Sequence, residues 1–309
     1  MRGTFYLILT GMFLGTTGIW AKLAGANVSP FLLTIFRTIL SALMIMLLVV
    51  FSKNIKTMEN LGMRKKDLPL FLAAGFFGVT IGFGLYIKSF SFVPVANAVA
   101  LVYVYPVMTA LLSFVFLREK ITKREIAAVF LILLGVWSIY APEMSFASNA
   151  FGNLLALAAG IGYSVFIVFM RYFEAKGMPY WKVTFWPLLI GGVILCFLLP
   201  LEPLVFAPSG LVPLFILGIA LSSFFGYILY AEGLKTVRAH DAVIIAALLE
   251  PLTAILLALF LLGEALPPYV AIGAALIIAA NVIIGREHKK KRIEKHKQKS
   301  GRPGLEWVW

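Results

Sequence analysis

The sequence predicts an all-α integral membrane protein whose ten transmembrane helices form two inverted five-helix repeats. Three observations carry that expectation. The chain of 309 residues is 61% hydrophobic and 13% charged, with a mean hydropathy of +0.96, whereas a soluble chain is nearer half apolar and a quarter charged. Ten apolar segments reach the roughly 20 residues that a helix needs to cross about 30 Å of hydrocarbon. One stretch also recurs: YPVMTALLSFVFLREK (105–120) aligns with EPLTAILLALFLLGEA (250–265) at a shift of 145 residues, placing Pro106 on Pro251 and Glu119 on Glu264.

The segments fall near 4–26, 30–51, 68–88, 94–117, 122–140, 151–171, 180–200, 210–234, 241–262 and 267–285. Prolines mark their starts. Pro30, Pro69, Pro94, Pro179, Pro213 and Pro267-Pro268 sit at or near first turns, where an absent N–H breaks no helical hydrogen bond. Thr122-Lys123-Arg124-Glu125 has capping-box spacing before the fifth segment, and Asp241 reads as the N-cap of the ninth. The first segment has a faint cleavage-like Ala24-Gly25-Ala26, but the symmetry requires it as a span. Gly11-Gly15-Gly18, Gly75-Gly78-Gly82 and Gly152-Ala156-Gly160 are spaced for close helix packing, with hinges as the other reading.

The repeat shift divides the chain into residues 1–141, residues 142–285 and a basic tail, 286–309. An odd number of spans per half makes the second half enter from the opposite face, about a pseudo-two-fold axis in the membrane plane. Loop charge is uneven. Arg2, Lys53, Lys56, Arg64, Lys65, Lys66, Arg118, Lys120, Lys123, Arg124, Arg171, Lys176, Lys235, Arg238 and the tail share one side. The positive-inside rule then makes both termini cytoplasmic, in a multi-pass protein of the cytoplasmic (inner) membrane. The polybasic tail is expected to contact anionic lipid rather than nucleic acid.

Composition narrows the chemistry. Cys196 is the single cysteine, so no intrachain disulfide is expected. His240, His288 and His296 show no metal-ligand spacing. No metal, no cofactor and no catalytic residue is expected, and no Walker A pattern is present. An embedded enzyme is disfavoured; a carrier and a passive channel both stay open.

The pair Pro106…Glu119 and Pro251…Glu264, each fitting P-x(2)-T/A-x-L-L-x(6)-E, resembles the EamA-type branch of the drug/metabolite transporter superfamily. Arg37 in LTIFRTILSALMIML and the short basic turn after the fourth span are similar to that family too. The resemblance covers about residues 4–285. It implies ten helices, a central solute cavity and alternating access, usually for export of amino acids or related metabolites. This sequence departs from the pattern in two places: the second-half counterpart of Arg37 is not arginine, and the tail has no counterpart.

Glu250 lies within a long apolar run beside Pro251. A charged residue at a helix centre costs about 2.5–3.5 kcal/mol to insert, and an interior proline about 3 kcal/mol in a soluble helix. Pro251 and Pro106 are expected to break or kink their helices and to free the carbonyls of Ala247 and Val102. Such freed backbone is tolerated where it lines a cavity or packs within protein. Glu250 could bind a substrate amino group or a proton, or be a neutral acid bonded to a neighbouring helix. Arg37, about 10 Å from the end of its span, could bind a carboxylate, pair within the protein or snorkel outward. Lys22 and Lys88 are expected to snorkel. Trp20, Tyr86, Asn97, Tyr105, Tyr163, Tyr227 and Tyr230 complete the candidate substrate-binding set, helix packing being the alternative for each. Glu119 and Glu264, at helix ends, are expected to be structural. The expected partners are a small-molecule solute, a coupled proton and membrane lipids, with the protein a monomer or homodimer.

Overall fold

A computed structural model describes residues 2–51, 61–105, 107–109, 111–112, 123–143, 147–234, 239–280 and 282–283. Among these, ten apolar helices follow one another: α1 (Arg2–Ala24), α2 (Pro30–Phe51), α3 (Lys65–Ser89), α4 (Val95–Thr109), α5 (Lys123–Glu143), α6 (Ala147–Ala175), α7 (Tyr180–Leu198), α8 (Val212–Leu234), α9 (Ala239–Leu262) and α10 (Pro268–Ala280). Each coincides with one predicted segment. Among the described residues, six spans are long and apolar enough to cross a membrane. Among the described residues the extended structure is an isolated bridge between Val28 and Phe206. The outward faces are apolar: Phe130, Leu133, Leu134 and Trp137 on α5 and Phe260 and Leu261 on α9 are all exposed, a surface suited to lipid rather than water.

Prolines begin helices as expected, although Pro94 and Pro179 take extended backbone one residue before α4 and α7. Three spans depart from regular α-helix. α1 is interrupted at Thr16. The Thr16 hydroxyl donates to the Phe13 carbonyl (2.7 Å) and shares a hydrogen bond with Ser222 Oγ (2.6 Å), so the side chain competes with the backbone ladder. α3 runs as π-helix from Ala74 to Phe83, which sequence periodicity does not foretell. In α4 the regular helix stops at Val102, and Tyr103 and Val104 form a turn.

That turn agrees with the freed Val102 carbonyl expected from Pro106, which itself lies outside the described residues, as does Glu119. The Val102 carbonyl lies against Gly160, where an added Cβ would sit 2.8 Å from it. Pro251 corrects the expectation of a break. It is buried inside α9, which continues unbroken from Ala239 to Leu262. Asp241 is likewise the third residue of α9 and not its N-cap.

Helices α1–α4 pack chiefly on α6–α9. α1 runs along α8 and α9, α2 along α7 and α8, α3 along α6 and α7, and α4 along α6 and α9. The glycine series makes these approaches possible. A Cβ on Gly11 would meet Leu249, one on Gly75 would meet Ile190, and one on Gly78 would come 2.4 Å from Phe166.

At the charge-poor end, two glutamates join these elements. Glu202, in the α7–α8 connection, accepts the Phe31 N–H (2.7 Å) and pairs with Lys88 Nζ (3.3 Å), while Lys88 lies 4.5 Å from the Phe31 ring centroid. Lys88 is therefore paired and does not snorkel. Nearby, Ser29 and Ala207 donate their N–H groups to Val205 and Asn27. Glu264, just beyond α9, accepts the N–H groups of Val95 (3.1 Å) and Ala96 (3.4 Å), which opens α4 with a carboxylate cap.

Candidate functional site

The expected polar residues meet between α2, α3, α4, α6, α8 and α9. Arg37 enters from α2, whose inward face also carries buried Thr34, Thr38 and Ser41. These hydroxyls serve the helix itself: Thr34 donates to Pro30 O, Thr38 to Thr34 O, and Ser41 to Arg37 O and Ala220 O. The arginine is thus the group on this face with capacity to spare. It is 5% exposed, which rules out snorkelling. Its Nε donates to Ser223 Oγ on α8 at 2.7 Å, and its guanidinium carbon stands 4.5 Å from the centroid of Phe83. Nη1 has no hydrogen-bond partner.

Glu250 comes from α9, opposite α1. Gly11 and Gly15 let α1 approach closely, since a Cβ on Gly15 would lie 2.6 Å from the Glu250 carbonyl oxygen. The carboxyl points away from this seam, to Tyr103 and toward Arg37. Arg37 and Glu250 are in electrostatic reach of each other without an ion-pair contact. Glu250 lies deep among the helices yet keeps part of its surface accessible.

Tyrosines surround the two charges. Tyr86 and Tyr227 lie in the field of both Arg37 and Glu250, and Tyr163 in that of Glu250. The rings interlock: Tyr103 to Tyr105 at 5.4 Å, Tyr105 to Tyr163 at 4.8 Å and 84°, and Tyr163 to Phe83 at 5.4 Å. Tyr105 and Tyr163 meet edge to face and the other two pairs are tilted, contacts that hold aromatic walls in fixed orientation. The Tyr227 hydroxyl is buried and, like Arg37 Nη1, completes no well-formed hydrogen bond.

The structure thus brings together Arg37, Tyr86, Tyr105, Tyr163, Tyr227 and Glu250. The other candidates stand apart. Trp20 donates its indole N–H to Thr16 Oγ (3.1 Å) and covers Gly218 on α8. Tyr230 is linked to the cluster through Tyr180, with ring centroids 5.6 Å apart. Asn97 is buried in the first turns of α4, near the end capped by Glu264.

Sequence reasoning missed two members. Tyr103, beside the expected Tyr105, is a tyrosine in contact with Glu250. In a regular helix, residues i and i+2 are about 200° apart and point to nearly opposite sides. The turn at Tyr103–Val104 lets both rings face the same site, and Pro106 was the available signal. Phe83, at the end of the π segment, carried no signal at all. Among the described residues, no cluster of His, Cys, Asp or Glu could hold a metal ion.

The chain is similar to several known proteins. A model of the EamA-like transporter family matches residues 1–141 and again 150–286. An uncharacterized transporter of Archaeoglobus fulgidus is 28% identical over 92% of this chain and 97% of its own length. The uncharacterized transporter YwfM of Bacillus subtilis is 26% identical over 94% of this chain and 97% of its own. One crystal structure superposes with a TM-score of 0.65 at 20% identity, covering 91% of this chain and 95% of that one, a likeness of fold.

Proposed function

The chain belongs to the EamA-like transporter family, and on that premise we propose that it is a secondary carrier exporting amino acids or related small solutes across the cytoplasmic membrane. The single observation that carries this reading is the composition of the central cluster. Arg37, Tyr86, Tyr103 and Tyr105 come from the first family-matched stretch, and Tyr163, Tyr227 and Glu250 from the second. A site shared by two repeated units is where relative rocking alternates access. An intramembrane acid that stays partly accessible is the expected place for a solute amino group or a coupled proton. In this reading the two stretches are inverted repeats, both termini are cytoplasmic, and the tail contacts anionic lipid.

Counterflow in proteoliposomes tests it. Vesicles preloaded with unlabelled amino acids should accumulate labelled tracer saturably. Glu250→Gln should abolish that uptake, or leave uptake that no longer responds to pH. Non-saturable flux would point instead to a passive facilitator. A second reading, efflux of cationic or neutral drugs, is favoured by the number of aromatic rings around Glu250, since ring faces attract cations. It requires that organic cations compete with the tracer.

A further inference from the structure

Within the carrier reading, on which this inference rests, we propose that Arg37 and Tyr227 form an oxyanion-binding pole of the solute site, and that Ser223 is the positioning residue that aims it. The transported solute then carries a carboxylate or comparable oxyanion.

The two donors are the reason. A buried cation normally has its N–H groups satisfied, because unpaired ones are costly away from water. Here Arg37 is 5% exposed and Tyr227 4% exposed, and the two side chains lie within hydrogen-bonding reach of each other, yet neither Arg37 Nη1 nor the Tyr227 hydroxyl completes a well-formed hydrogen bond. An oxyanion accepts from both. Glu250 does not answer the need: it makes no ion-pair contact with Arg37, and its carboxyl lies beside the Tyr103 hydroxyl.

Ser223 determines which edge of the guanidinium is offered. The paired donors of an arginine side-on fork include Nε, and Nε is committed to Ser223 Oγ at 2.7 Å. Phe83 lies 4.5 Å from the guanidinium carbon and restricts its movement. The Nη1 corner is left, so the carboxylate binds end-on, with the Tyr227 hydroxyl as second donor. Glu250, at the other pole, then meets a solute ammonium group or a proton. Arg37 and Glu250 form no ion pair with each other among the described residues, and a solute with separated charges spans them.

The test is ligand-induced thermal stabilisation of the full-length protein in detergent micelles. The probes are L-α-amino acids and simple monocarboxylates from acetate to benzoate, each beside its uncharged primary amide. The expected result is stabilisation by at least one acid and none by its amide. Tyr227→Phe should weaken that acid's apparent affinity about tenfold, the loss of a hydrogen bond to a charged group; Ser223→Ala, which releases Arg37 Nε from its acceptor and lets the guanidinium turn, should weaken it as well, and Ser223→Thr should restore it. The proposal is overturned if acids and amides stabilise equally, if no acid stabilises, or if Ser223→Ala binds the acid as the parent protein does. A folded protein that exchanges only amines or neutral compounds in vesicles keeps the carrier reading and loses this pole. Acid-over-amide binding without any exchange keeps the pole and loses the carrier reading.

Discussion

The phenol of Tyr103 on α4 lies against the carboxyl of Glu250 on α9. Two helices far apart in sequence therefore meet at the acid through one hydroxyl. Tyr103→Phe keeps the ring and removes that group. It should lower counterflow about tenfold, the scale of one hydrogen bond to a charged group, with the elution profile of the purified protein unchanged. Tyr105→Phe, whose ring packs between Tyr103 and Tyr163, should cost less. Equal losses in the two variants would remove the distinction drawn between them.

Lys88 and Glu202 give a stability test with a built-in rescue. The lysine side chain is 24% exposed and the glutamate 5%, so Lys88→Ala strands a buried carboxylate. Breaking such a pair costs about 3 kcal/mol, which thermal unfolding in micelles should register. Adding Glu202→Gln removes the stranded charge while leaving an oxygen for the Phe31 N–H. The double variant should recover most of the loss. A double variant no more stable than Lys88→Ala would mean that the charge pair is not what joins these segments.

Glu264→Ala should destabilise by about 0.5–2 kcal/mol, the usual cost of losing a helix cap, because two N–H groups of α4 lose their acceptor. Glu264→Gln retains one acceptor oxygen and should fall between the parent and Ala. If vesicle exchange by the folded Ala variant were lost outright, a capping role alone would be too small an account of Glu264.

Glycine substitutions separate the seams from open positions. Gly15→Ala drives a Cβ to 2.6 Å from the Glu250 carbonyl oxygen and 2.7 Å from Thr253 Cβ. Overpacking of this kind costs about 1–3 kcal/mol. Gly84→Ala, with its nearest contact at 3.4 Å, should be neutral or stabilising through higher helix propensity. Measured melting temperatures in the reverse order would mean that α1 has room to move away from α9.

The spans were legible because a bilayer demands long apolar helices, and prolines and charged turns delimit them without ambiguity. Arg37 and Glu250 were legible for the same reason, since charge inside such runs is conspicuous. What hydropathy could not supply was backbone register. The π segment Ala74–Phe83 reads as ordinary apolar helix, yet it ends on Phe83, which lies under Arg37. Tyr103 was hidden because Pro106 signalled a break in α4 without fixing that Tyr103 and Val104 would form the turn. Pro251 does not end its helix, since α9 continues through it. Glu202 lies in a connection with no periodicity to mark it, and its partners come from α2 and α3.

The seam between α1 and α9 has a consequence for synthesis. Gly11 and Gly15 are synthesised well before the helix they are shaped to fit, around Leu249 to Thr253, since 249 − 15 = 234 positions separate the two sides of the seam. While the intervening residues are made, α1 has a groove with no occupant, exposed to lipid or to whatever insertion machinery holds it. The bundle cannot close by adding one finished helix to the next. Its assembly waits on long-range contacts, the kind that close slowly and leave intermediates vulnerable. A nascent chain stalled before α9 would hold Arg37 in place without the glutamate that faces it.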